Sequence, residues 1–126
     1  MKQIWIVDDD EEMVGAIRLM LKLLGCEARH FYSARLAAQT LLGGESPDLL
    51  ILDINMPEVS GIDFLEFLRR RTEWKDLPVV MLSTEAADVM IDNAMAIGAD
   101  AYVTKPVALE ELEGAMEKAF KAHGKS

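Results

Sequence analysis

Apolar residues gather in short runs at positions 4–7, 49–52, 79–82 and 101–103, with a weaker run at 28–31. Each is strand length and, in the four stronger runs, apolar on successive residues, as in a strand covered on both faces. Between the runs the spacing changes to three and four. Met13, Ile17, Leu21 and Leu24 make one helical stripe, and Leu36 with Thr40 and its neighbours a second. Ile62, Leu65 and Leu68 make a third, Met90, Ala94 and Ile97 a fourth, and Leu109, Leu112, Met116 and Phe120 a fifth. Each predicts a helix with a single face toward a core. Gly25, Gly43, Gly44 and Gly98 fall where these helices should stop, and Ser33 where one should begin. Five strands alternating with five helices predict an α/β fold, a doubly wound five-stranded parallel sheet with helices on both sides.

Composition narrows the partners. Thirteen basic and twenty-two acidic residues in 126 give a net charge of −9, which disfavours nucleic acid and anionic membrane surfaces. No apolar run approaches the roughly 18 residues that span a bilayer. Cys26 stands alone, so no internal disulfide forms, and the charged residues close behind the first apolar run do not resemble a secretion signal. A cytoplasmic location is the expectation. The length suits one domain. The closing AHGKS reads as a frayed end, so residues 1–122 are expected to form the domain and 123–126 a C-terminal tail.

In a parallel sheet the strands all end at one edge, and ligands bind in the crevice outside those ends. The residues that close the predicted strands are polar. Asp8 and Asp9 follow the first, Asp53 the third, Ser83 and Thr84 the fourth, and Lys105 with Pro106 the fifth. Three carboxylates gathered in a partly buried site repel one another unless a cation joins them or their pKa values rise. All-oxygen ligation of this kind suits Mg²⁺, which is held by one or two carboxylates and completes its shell with water and phosphate. The Lys105 ammonium can pair with a carboxylate at rest and with phosphoryl oxygens afterwards, and the Ser83 hydroxyl can bind another of those oxygens. A carboxylate can itself be the nucleophile and form an aspartyl phosphate.

Four segments, VDDD at the end of the first strand, DINMPEVSG around Asp53, LSTEA after the fourth and TKP after the fifth, occur in order over essentially the whole chain. Together they resemble the receiver domain of bacterial response regulators, of chemotaxis-regulator type. The resemblance implies a flavodoxin-like sheet in strand order 2-1-3-4-5. It makes Asp53 the phosphoacceptor and Asp8 and Asp9 the acidic pair for Mg²⁺, with the main-chain carbonyl of Asn55 completing the protein ligands. Ser83 and Lys105 bind the phosphoryl group, and Ser83 and Tyr102 act as the switch. Asn55 and Glu85, both polar, flank the path of an attacking water and imply a short-lived phosphoryl group. The implied partners are a histidine kinase or phosphotransfer protein, and either a downstream protein target or a C-terminal output domain absent from this chain. Lys-Pro at positions 105 and 106 implies a cis peptide bond.

Two positions depart from that pattern. Val107 replaces an aromatic residue often found after the Lys-Pro pair, which puts the packing of the loop into the last helix in question. Asp10 adds a third acid whose expected role is helix capping. His30 and His123 are given no function. The methionines are expected to fill core gaps, with those on the last two helices also offering an adaptable docking surface.

Two other functions fit parts of this chemistry. A phosphatase of the haloacid-dehalogenase type also uses an aspartyl nucleophile, Mg²⁺ and lysine, but its paired aspartates follow its first strand and it carries a cap domain. A receiver that binds partners without phosphorylation would not need every chemical position filled. The expectation is therefore a phosphorylated binding module, not an enzyme beyond weak catalysis of its own phosphorylation and dephosphorylation.

Overall fold

A computed structural model describes residues 1–125. The chain alternates strictly: β1 (Gln3–Val7), α1 (Glu11–Leu23), β2 (Glu27–Phe31), α2 (Ala34–Leu42), β3 (Leu49–Asp53), α3 (Gly61–Arg69), β4 (Val79–Ser83), α4 (Asp88–Ile97), β5 (Ala101–Thr104) and α5 (Leu109–Ala122). The strands pair in parallel in the order β2-β1-β3-β4-β5. The predicted class and strand order are those observed.

Because successive strand side chains point to opposite faces, each apolar run feeds two cores. Trp5, Val7, Leu50, Leu52, Val79 and Met81 face α2, α3 and α4, where Phe64, Leu65, Leu68 and Ala94 meet them. Ile4, Ile6, Leu49, Ile51, Val80 and Leu82 face α1 and α5, against Ile17, Leu21, Leu112 and Phe120. β1, β3 and β4 are buried on both sides, which accounts for their unbroken apolar sequences. β2 is an edge strand, and only Phe31 in it is fully buried.

Helix ends follow local chemistry. Asp10 caps α1, accepting from the N–H groups of Glu12 and Met13, as its sequence position suggested. Ser33 caps α2 and Ser60 caps α3. Gly98 closes α4 with φ of 130°, a backbone conformation that glycine adopts freely.

Two expectations need correction. The stripe of α2 is Ala34, Ala37 and Leu41: of the expected positions Leu41, beside Thr40, is buried, whereas Leu36 is 46% exposed and the earlier buried places belong to the two alanines. Residues 122–125 are not a frayed end, and Ser126, the rest of the expected tail, lies outside the described residues. His123 docks its ring on Asp100 with Nε2 2.9 Å from both carboxylate oxygens, and Lys125 N–H closes back on the Phe120 carbonyl at 2.8 Å. Val107, whose packing the sequence left in question, is buried against the α1–α5 core.

Asp100 ties together the edge of the sheet opposite the strand ends. It accepts from the Val79 N–H at 2.8 Å and from the Arg69 guanidinium at 3.1 Å, besides meeting His123. Arg69 also donates to the carbonyls of Gly98 and Trp74. α3, β4, the α4–β5 turn and the end of α5 are thus bound through one largely buried cluster.

Candidate functional site

The strand ends converge as the topology requires. Asp53 ends β3 opposite Leu82 of β4, and Ser83 ends β4 opposite Thr104 of β5. Asp8 follows β1 directly. Asp8, Asp53 and Ser83 are the only fully buried polar side chains among the described residues, at 0%, 2% and 0% exposure, whereas Asp9 is open to solvent. Lys105, set by the cis Lys105–Pro106 bond beyond β5, places Nζ 3.1 Å from Asp8 Oδ2 and 3.4 Å from Asp53 Oδ1.

The electrostatics follow from that crowding. Burial, then the neighbouring Asp8 charge, lifts the Asp53 pKa from 3.8 to about 6, against the pull of Lys105 and the Asn55 backbone N–H. Burial also works against the Lys105 charge, but Asp53 and Asp8 outweigh it and hold the ammonium above the ordinary lysine range. One cation against three carboxylates leaves the rim short of positive charge.

Asp8, Asp9 and Asp53 each offer an oxygen within 4.8 Å of the others, a set able to hold a metal ion. Asp8 Oδ1 is taken by the Asp10 N–H at 2.9 Å. Oδ2 is buried without a directed hydrogen bond, facing Lys105 as an ion pair only. A buried carboxylate oxygen with a spare lone pair, beside two more carboxylates, fits a hard divalent cation such as Mg²⁺.

On the other side of the cluster, Ser83 Oγ accepts from the Glu85 N–H at 3.0 Å, and the Tyr102 hydroxyl donates to the Glu85 carbonyl at 2.7 Å. The β4–α4 loop is thereby tied both to the strand end and to half-buried Tyr102. Asn55 and Glu85, each two residues past a strand end that carries Asp53 or Ser83, are exposed. The start of α3 presses on the acceptor from below. A Cβ on Gly61 would lie 2.2 Å from the Asp53 carbonyl oxygen, so only glycine fits, and its N–H bonds the Ile54 carbonyl.

Of the residues that the strand-end argument selected, Asp8, Asp9, Asp53 and Lys105 form one cluster and Ser83 closes the neighbouring strand, whereas Thr84 and Pro106 are exposed. Sequence reasoning passed over Gly61, whose demand comes from a close approach in space. It also passed over His30, whose Nε2 lies 2.7 Å from the Asp8 carbonyl oxygen. The available signal for His30 was its place at the end of an edge strand beside β1.

The parallel sheet in this order, with acids, hydroxyl and lysine on its carboxyl edge, defines a receiver module of two-component signalling. The response regulator receiver domain family matches residues 4–117, and the chain belongs to that family. It is 35% identical over 118 residues to the chemotaxis protein CheY of Pseudomonas aeruginosa, covering 94% of this chain and 95% of CheY. It is 36% identical over 110 residues to the phosphate regulon transcriptional regulatory protein PhoB of Rhizobium meliloti, covering 87% of this chain. The chain spans 48% of PhoB, about half its length. Among solved structures, a putative response regulator from Chloroflexus aurantiacus superposes with a TM-score of 0.88 at 28% identity, covering 94% of this chain and 96% of that one. No helix among the described residues is long and apolar enough to cross a membrane.

Proposed function

We propose that this receiver domain accepts a phosphoryl group on Asp53 from a histidine kinase or phosphotransfer protein, with Mg²⁺ held by Asp8, Asp9, Asp53 and the Asn55 main-chain carbonyl. The observation that carries the reading is the buried Asp53 carboxylate lying 3.4 Å from Lys105 Nζ within a three-carboxylate cluster. Mg²⁺, when bound, supplies the charge that offsets the phosphoryl oxygens in flight.

The side chains divide the remaining work. An Asp53 oxygen attacks phosphorus, the new P–O bond replaces the P–N bond to the donor imidazole, and the departing imidazole keeps its electron pair and takes a proton. Lys105, already fully charged at neutral pH, stays close enough to follow the phosphoryl oxygens. Ser83 Oγ, which now only accepts, keeps its own proton free to donate to one of them. Water reaches the site past Asn55 and Glu85 and later hydrolyses the acyl phosphate. The protein's own catalysis is confined to those two steps, and the output is a binding surface changed through the Ser83–Glu85–Tyr102 chain of contacts. A cytoplasmic site for this chemistry is part of the same proposal, supported by the similarity to the chemotaxis protein CheY.

The test is intact-mass analysis after exposure to acetyl phosphate. One phosphoryl adduct is expected with Mg²⁺ and none with EDTA. An Asp53→Asn protein that gains the adduct at wild-type efficiency would overturn the assignment.

A further inference from the structure

We infer that His30 is a positioning residue for the divalent-cation site, acting through the main-chain carbonyl of Asp8. The inference rests on the receiver reading above and adds to it a residue outside the acidic cluster.

Pairing between β1 and β2 ends at Val7 and Phe31. The Asp8 N–H still reaches the Phe31 carbonyl at 3.1 Å, but the Asp8 carbonyl has passed the end of the ladder. A side chain fills the place of the missing strand residue. His30 Nε2 sits 2.7 Å from that oxygen, and since a carbonyl only accepts, Nε2 is the protonated nitrogen. The ring is held in turn by Tyr32, two residues on along the same face, with ring centroids 4.3 Å apart. The Tyr32 hydroxyl donates to Glu11 in the first turn of α1 at 2.9 Å.

The bonded oxygen belongs to the peptide joining Asp8 to Asp9, so its orientation sets where the Asp9 carboxylate stands. Asp8 is then held at its N–H by Phe31, at its carbonyl by His30 and at Oδ1 by Asp10. Asp9, exposed and without a side-chain hydrogen bond or ion pair among the described residues, depends on that peptide to stay within 4.8 Å of the other two oxygens. Three carboxylates repel, and without the anchor the peptide turns its carbonyl to water and the exposed acid swings away. His30 builds the converged arrangement into the metal-free protein, as hydrogen bonds behind a ligand shell do elsewhere.

The experiment compares wild type with His30→Phe, which keeps a ring against Tyr32 and loses the donor, and His30→Gln, which keeps a donor at similar reach. Mn²⁺ binding is measured from the electron paramagnetic resonance signal of the free ion, and urea unfolding in EDTA checks that each variant is folded. His30→Leu replaces the Phe variant if that one fails to fold. His30→Phe should weaken Mn²⁺ binding by on the order of tenfold. His30→Gln should recover most of the loss, and the acetyl phosphate reaction should need correspondingly more Mg²⁺ to reach an unchanged plateau. Equal Mn²⁺ affinity in wild type and His30→Phe, with Asp53→Asn weakened, overturns the role of His30 and leaves the receiver reading standing. Equal weakening by Phe and Gln also overturns it, because the ring's shape and not its donor would then matter. A wild-type protein that binds no Mn²⁺ overturns both.

Discussion

Replacing Asp53 by asparagine should make the metal-free protein more stable. The folded state holds this carboxylate at 2% exposure beside Asp8, and the pKa rises from 3.8 to about 6. A rise of about two pH units corresponds to ~3 kcal/mol against the charged form in the folded state. Asparagine keeps the shape without the charge, so the gain at pH 8 in EDTA should be about 2–3 kcal/mol, or roughly 10 °C in melting temperature for a domain of this size. The sign with pH follows from the direction of the change. The folded pKa lies above the unfolded one, so the wild-type penalty is complete above the folded value and vanishes once pH falls below the unfolded value. The gap between variant and wild type should therefore be widest at pH 8, shrink through pH 6 and close near pH 4. Added Mg²⁺ should narrow it at pH 8, because wild type binds the ion with the full carboxylate set and gains stability by mass action. Urea titrations followed by the fluorescence of buried Trp5 and Trp74 measure all of this. An Asp53→Asn protein no more stable than wild type at pH 8 in EDTA, or a gap that stays constant to pH 4, refutes the reasoning.

Asp100→Ala should destabilise by about 3–5 kcal/mol in the same titrations, since it removes the carboxylate paired with the largely buried Arg69 guanidinium and the acceptor of the Val79 N–H. The phosphorylated protein should lose its adduct within seconds to minutes at neutral pH with Mg²⁺ once the donor is removed, and Asn55→Lys should decay more slowly. A half-life of hours contradicts the first part. Beryllofluoride, a phosphoryl mimic, should move amide resonances from Ser83 to Tyr102, and Tyr102→Phe, which loses the bond to the Glu85 carbonyl, should shrink the changes beyond Glu85.

How much the sequence disclosed depended on the range of the interaction. Unbroken apolar runs in β1, β3 and β4 and glycines at helix ends are local consequences of burial and backbone geometry, and these gave the fold class. The site was legible because a parallel sheet carries strand ends to one rim, so Asp8, Asp53, Ser83 and Lys105 could be grouped without knowing any distance. α2 was misread where leucine, the stronger hydrophobe, outweighed alanine in the pattern, so that Leu36 was counted toward the core in place of Ala34 and Ala37. His123 and Asp100 meet across 23 residues, and His30 reaches a backbone atom 22 residues away. Contacts of that kind leave no periodicity behind them.

Gly61 makes the two flanks of Asp53 mechanically unequal. On the α3 flank the helix starts in direct contact with the Asp53 backbone, is capped by Ser60 and buries Gly61, Phe64, Leu65 and Leu68. On the α4 flank the helix starts at Asp88, follows Ala87 with no side-chain cap and buries only Ala94. A force applied at the acceptor meets a stiff wall on one side and a compliant one on the other. Displacement is expected on the less anchored side, in the β4–α4 loop, with α3 as the fixed frame. The asymmetry is thus one of attachment: the acceptor backbone is seated on α3 at residue 61, and α4 has no equivalent hold.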